Sequence, residues 1–204
     1  AIGGETVDAT SFSAARTNLG SAVFAGDLRG CGETWPEVLA RIGFETRSNF
    51  VPEELSAGRR WKMLCSESDY GWPAAVRTIT TWRGFTEAGR DLTELATRSR
   101  AWYAYDASIG TDESAYAKML RADAEQNDLD PTYVTDAQIA TAEDQIGEVD
   151  GEPIFFLLIR DDATAKQIFG YYVYERIRLG AIFALDGVPW WEGYDLEAGD
   201  IVEL

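Results

Sequence analysis

The sharpest chemical constellation in this chain is Trp190-Trp191-Glu192-Gly193-Tyr194-Asp195. Adjacent indoles offer flat faces to a sugar ring, and Glu192 and Asp195 supply the two carboxyl groups that glycoside hydrolysis uses. Retaining glycosidases hold such a pair about 5 Å apart and inverting ones about 6.5–9.5 Å apart. Residues three apart in a loop reach either separation, so spacing does not choose a mechanism. The same residues have a structural reading, in which the tryptophans fill a core edge or an intersubunit contact, where aromatics are favoured. The structural reading is preferred. Trp190, Trp191, Glu192, Tyr194 and Asp195 stand as a candidate interaction or ligand surface, with no catalytic residue assigned.

Other acidic groups suggest less. Glu67-Ser68-Asp69-Tyr70-Gly71-Trp72 has oxygen ligands of the kind calcium takes. The chain nevertheless lacks the D-x-[DN]-x-[DN]-G loop, and residues 123–130 are acidic at the wrong spacing. Both stretches read as solvated surface. Asp161 and Asp162 open a helix, whose N-terminus stabilises an anion and lowers its pKa, which suits a cap and opposes a general acid. Arg59-Arg60 and the arginines at 98 and 100 form small basic patches that read as partners for nearby acids. No G-x-x-x-x-G-K-[ST] phosphate loop occurs.

The chain contains no histidine. That excludes the Ser-His-Asp triad, the Cys-His dyad and His-ligated metal sites, together with the usual proton shuttle near neutral pH. The two cysteines, Cys31 and Cys65, are too few for a four-cysteine zinc site. They either pair or remain reduced thiols, and reduced thiols are preferred. No metal and no cofactor is expected.

Several local elements must position these residues. Thr34-Trp35-Pro36-Glu37 is a capping box that starts a helix, with Gly43 as its stop. A turn is expected at Pro52. Thr86 reads as the cap of a helix running to Arg98, and Thr111 or Asp112 as the start of another reaching Gln126, with Tyr116, Met119 and Leu120 on one stripe. Between them, residues 101–105 read as a strand. Thr135-Asp136-Ala137-Gln138 is a second capping box, and Gly147 ends its helix. Residues 154–159 form the longest apolar run and have strand length, short of the ~18–20 residues of a membrane helix. Asp161 or Asp162 then caps a helix carrying Ala165, Ile168, Phe169, Tyr172 and Val173. The region around Trp190-Trp191 and the last residues, 201–204, read as strands around turns.

Helices and strands are interspersed without βα alternation, so the expected fold class is α+β, with a mainly antiparallel sheet or partial barrel. Residues 1–32 are rich in small residues and read as an N-terminal arm, within which residues 10–19 have the makings of a short helix. Residues 33–204 read as a single α+β domain, with a candidate subdivision near 127–153. The chain has 204 residues and a formal net charge of −17. Such an excess of acid disfavours nucleic acid and anionic membranes as partners.

Residues 154–204 resemble a recurring element in the tail-hub and baseplate proteins of tailed bacteriophages. In that family an apolar strand leads to an aspartate, a helix with small and apolar residues, further strands, and an L-x-x-G-D-x-V turn into another strand. The matching residues are 154–159, Asp161, Ala165, the helix through Arg178, and Leu196-Glu197-Ala198-Gly199-Asp200-Ile201-Val202. Gly199 suits a tight turn, Asp200 can cap it, and Ile201 and Val202 favour a strand. In the family more chain follows this turn than here. The resemblance implies a non-enzymatic virion component in the tail or baseplate, assembled in the host cytoplasm. Its partners would be other virion proteins, in a homo-oligomeric ring or a hetero-assembly. Asp161, Asp162, Gly199 and Asp200 would be structural caps and turn residues. The alternative is a carbohydrate-binding or carbohydrate-active domain using residues 190–195.

Overall fold

The structure, a computed structural model, describes residues 6–25, 34–55, 58–65, 77–87, 95–106, 108–109, 113–178, 183–193, 196 and 202–203. In chain order its elements are β1 (Thr6–Val7), α1 (Ala9–Leu19), α2 (Trp35–Glu45), β2 (Ser48–Leu55), β3 (Gly58–Cys65), β4 (Arg77–Thr78) and β5 (Gly84–Glu87). There follow β6 (Ser99–Tyr105), a 3-10 turn (Glu113–Ala115), β7 (Tyr116–Ala122), α3 (Asp136–Ile146), β8 (Ile154–Phe155), α4 (Asp162–Ile177), β9 (Phe183–Asp186), α5 (Trp190–Gly193) and β10 (Val202–Glu203). The fold is α+β. The long strand pairings are antiparallel, and no sheet among the described residues closes into a barrel. Among the described residues no helix is long and apolar enough to cross a membrane.

The chain divides into two compact units. The first comprises residues 1–19, 48–90 and 180–204. Its largest sheet has the order β1-β3-β2, with β2 and β3 in antiparallel register from Ser48 opposite Cys65 to Leu55 opposite Gly58, and β1 parallel to β3. Helix α1, from the small-residue segment, packs on this sheet. Asp8 N donates to Trp61 O at 2.8 Å, Met63 N donates to Ser11 Oγ at 3.1 Å, and the rings of Phe12 and Phe50 lie 6.1 Å apart. Two smaller pairs complete the unit, β5 antiparallel to β9 and β4 parallel to β10.

The second unit comprises residues 20–47 and 91–179. Strand β6 runs centrally, antiparallel to β7 and parallel to β8. Its inward residues Ser99, Ala101 and Tyr103 are buried, while Arg100 between them is exposed, the alternation expected of a half-covered sheet. Helix α4 covers the inner face with Ala165, Ile168, Phe169 and Val173. Phe156, Ile159 and, from α3, Ile139 join them without exposed surface. Each such side chain contributes about 1.5–3 kcal/mol of burial free energy.

The capped helices form as the sequence predicts. Thr34 N donates to Glu37 Oε2 at 2.6 Å, and Thr135 N to Gln138 Oε1 at 2.8 Å. Gly147 ends α3 at φ 83°, a conformation that favours glycine. Helix α2, however, does not stop at Gly43 but continues to Glu45.

Five other expectations are corrected. Thr86 caps no helix: it sits in β5 opposite Ala184, and Leu95–Thr97 are not helical, while residues 88–94 lie outside the described set. The helix expected from Thr111 or Asp112 to Gln126 is replaced by strand β7, because ladder bonds to β6 outweigh the helical spacing of Tyr116, Met119 and Leu120. Pro52 makes no turn but lies within β2, opposite Trp61. Residues 154–159 are a strand only over Ile154–Phe155, after which the chain leaves the ladder, and Trp190-Trp191 begin a helical turn rather than a strand.

Candidate functional site

Helical turn α5 presents the aromatic pair of the first unit. Trp190 is 72% exposed and Trp191 57%, with ring centroids 6.2 Å apart and planes at 81°. The turn is pinned by polar bonds to the segment 77–81. Arg77 Nη1 donates to Trp191 O at 3.1 Å. Glu192 Oε2 accepts from the backbone N–H of Thr80 at 2.9 Å and of Thr81 at 3.1 Å, and Glu192 Oε1 accepts from Thr80 Oγ1 at 3.0 Å. Desolvation raises the Glu192 carboxyl, but these bonds from Thr80 and Thr81 outweigh it and hold the group below its ordinary range.

Glu192 is therefore ionised near neutral pH and is already committed to main-chain donors. It cannot donate a proton there, and as a base it would have to release its hold on residues 80–81. The geometry makes Glu192 a bracket that fixes the tryptophans' turn. Tyr194 and Asp195 lie outside the described residues, as do Gly199 and Asp200 of the Gly-Asp turn. Residues 66–76, which include the Glu67–Trp72 cluster, lie outside them as well.

In the second unit the acids also shape backbone. Asp161 is the N-cap of α4, and its Oδ2 accepts from Thr164 N at 2.9 Å and Thr164 Oγ1 at 3.1 Å. The Thr164 hydroxyl in turn accepts from Val23 N at 2.9 Å. Asp162 pairs with Lys118, and this bond holds its carboxyl below the usual range. The acidic stretch 123–130 is a folded turn. Asp123 Oδ1 accepts from the amides of Glu125 and Gln126 at 2.9 Å each, its other oxygen takes Arg121, and Asp128 accepts from Arg121 N at 2.8 Å. Among the described residues no group of three or more His, Cys, Asp or Glu could hold a metal ion. Of the basic patches, Arg98 pairs with Glu148 at 2.8 Å, and Arg60 lies 3.8 Å from Asp8. Cys31 and the Cys65 side chain lie outside the described set.

Sequence reasoning missed Glu45. It ends α2 with no exposed surface, its Oε1 accepts from Leu157 N at 2.8 Å and its Oε2 from Leu158 N at 2.7 Å. Burial pushes its carboxyl up to about 7, against the pull of those amides and of Arg41. Its partners are more than a hundred residues away in sequence, so no local pattern announces it. Arg176, half-buried on α4, was missed too, since its partners lie 24 and 77 residues away, beyond any local pattern. Its Nη1 donates to Glu152 O at 2.9 Å and to Ser99 Oγ at 3.4 Å.

No family model, curated protein or solved structure matches this chain.

Proposed function

We propose that this chain is a non-enzymatic structural component of a tailed-phage virion, in the tail or baseplate, and that it works through protein–protein contacts. The observation that carries the reading is the turn at Trp190–Gly193. Its one described carboxylate is spent on backbone amides, while its two indoles are exposed. Exposed tryptophans on a fixed support are what an interface anchor requires, since aromatic anchors dominate binding energy. An ionised, backbone-bound Glu192 is poorly suited to proton transfer. The setting rests on the resemblance of residues 154–204 to tail-hub and baseplate proteins.

Native mass measurement of the purified chain, alone and mixed with other virion proteins, tests the proposal. A ring or a tight complex is expected, weakened at least about tenfold by Trp191→Ala, as for an interface hot spot. A monodisperse monomer that associates with no virion protein would overturn it.

The open indole pair also favours a second reading, a carbohydrate-binding platform. A glycan screen separates the two. Sugar binding that is lost in Trp191→Ala and kept in Glu192→Gln would support a platform, and turnover lost in Glu192→Gln would make the site enzymatic.

A further inference from the structure

We propose that the cleft between α2 and β8 in the second unit binds a monocarboxylate with an apolar body, held by the guanidinium of Arg176. The cleft is a shallow, open one of ≈ 660 Å³. Ala40 and Phe44 wall it on the α2 side, Pro153 and Phe155 on the other, and Arg176 reaches into it. Phe44 is a fixed wall: its ring stacks on Tyr172 with centroids 4.6 Å apart, and the Tyr172 hydroxyl donates to Phe44 O.

Arg176 is the group that selects the ligand. Both its hydrogen-bond acceptors, a carbonyl and a hydroxyl, are neutral and are served by Nη1. Its Nε and Nη2 make no hydrogen bond among the described residues and are not sealed from solvent, so they are available to the cleft. A guanidinium with parallel donors free matches a carboxylate in bidentate geometry. Burial pulls Arg176 below its usual range, and the charge of Glu152 offsets this only in part. A bound anion would relieve that cost.

The ligand's charge is limited by the rim. Glu37 is bonded to its own helix cap, and Glu152 lines the same cleft. Arg41 lines it too, so the rim's two carboxylates and two guanidiniums balance, and a single negative charge suits it better than a dianion such as phosphate. The apolar walls call for a hydrocarbon body behind the carboxyl group. The source is either a free organic acid or the C-terminal residue of a peptide.

The test follows the Arg176 Nε–Hε resonance of the intact wild-type chain during titration. The probes are hexanoate, its neutral isostere hexanamide, and a short peptide ending in leucine as free acid and as amide. Saturable binding of hexanoate or of the peptide acid is expected, at least about tenfold tighter than the matching amide, as a charge-assisted bond requires. Arg176→Gln should abolish the difference. Tighter binding of the peptide acid than of hexanoate identifies a chain terminus as the source, and the reverse a free acid. Equal binding of acids and amides, or saturation by neither acid, overturns the proposal without recourse to any variant.

Discussion

Glu45 in the second unit and Glu192 in the first grip main-chain amides alike, under opposite solvation. Each carboxylate accepts two backbone N–H bonds, at 2.8 and 2.7 Å for Glu45 and at 2.9 and 3.1 Å for Glu192. Glu45 has no exposed surface and titrates up near 7, whereas Glu192, at the surface, titrates below its ordinary value. Asp123 separates the two variables. Its side chain is only 4% exposed, and burial pushes it up, yet the contacting Arg121 and two amides hold it low. At Glu45 two amides and the charge of Arg41 do not offset burial. At Asp123 the contacting Arg121 guanidinium joins two amides, and together they hold the carboxyl low against burial.

The largest effect that can break this comparison is in pH. The folded Glu45 keeps its proton up to about 7, and the unfolded group loses it near 4.5. Between those values the folded chain binds more protons, so stability from this group is complete below pH 4.5 and is lost as pH rises through 7. The expected loss is up to about 3 kcal/mol. Urea denaturation at stepped pH should show it, and Glu45→Gln should flatten that window while leaving the general effect of the −17 charge. A wild-type curve no steeper than that of the variant would show that desolvation is not the governing cause.

Asp123→Ala should come next, costing about 2 kcal/mol through two orphaned amides and the lost partner of Arg121 Nε, with Glu125 still on Nη2 at 2.9 Å. Its pH slope has the opposite sign. The folded group titrates below 3.8, so its contribution is present above that value and disappears as pH falls further. Chemical denaturation of this variant at pH 7 and pH 3 gives both numbers, and equal losses at the two pH values would contradict the pairing.

Asp161→Ala removes the α4 cap and should cost about 1 kcal/mol, readable as a lower melting temperature, with Asp161→Asn recovering most of it. The smallest effect belongs to the exposed partner in the comparison. Glu192→Gln should quicken hydrogen exchange at the Thr80 and Thr81 amides and leave the denaturation midpoint in place. A large shift in the midpoint would mean that the bracket at α5 supports the whole unit.

What the sequence discloses here is what neighbours in sequence decide. Thr135 and Asp161 cap their helices because the donors they serve lie three residues on, and Thr34 donates its N–H to Glu37 at the same spacing. Strand β7 was illegible as a strand because its apolar spacing fits a helix, and only the ladder with β6 settles it. At the candidate site the aromatic pair was visible, but the helical turn beneath it was not. Glu192 reads as half of a carboxylate pair until Thr80 and Thr81, more than a hundred residues earlier, claim its oxygens. Glu45 and Arg176 are illegible for the same reason, since their roles come from long-range packing.

Pro52 carries a consequence for behaviour in a crowded setting. It lies in β2, one of the two edge strands of its three-stranded sheet among the described residues. A prolyl nitrogen has no hydrogen to offer, so the rim of that sheet is a poor template for an incoming chain, a device that guards against fibrous aggregation. At high local concentration that edge offers a neighbour side chains to meet and an interrupted ladder to extend.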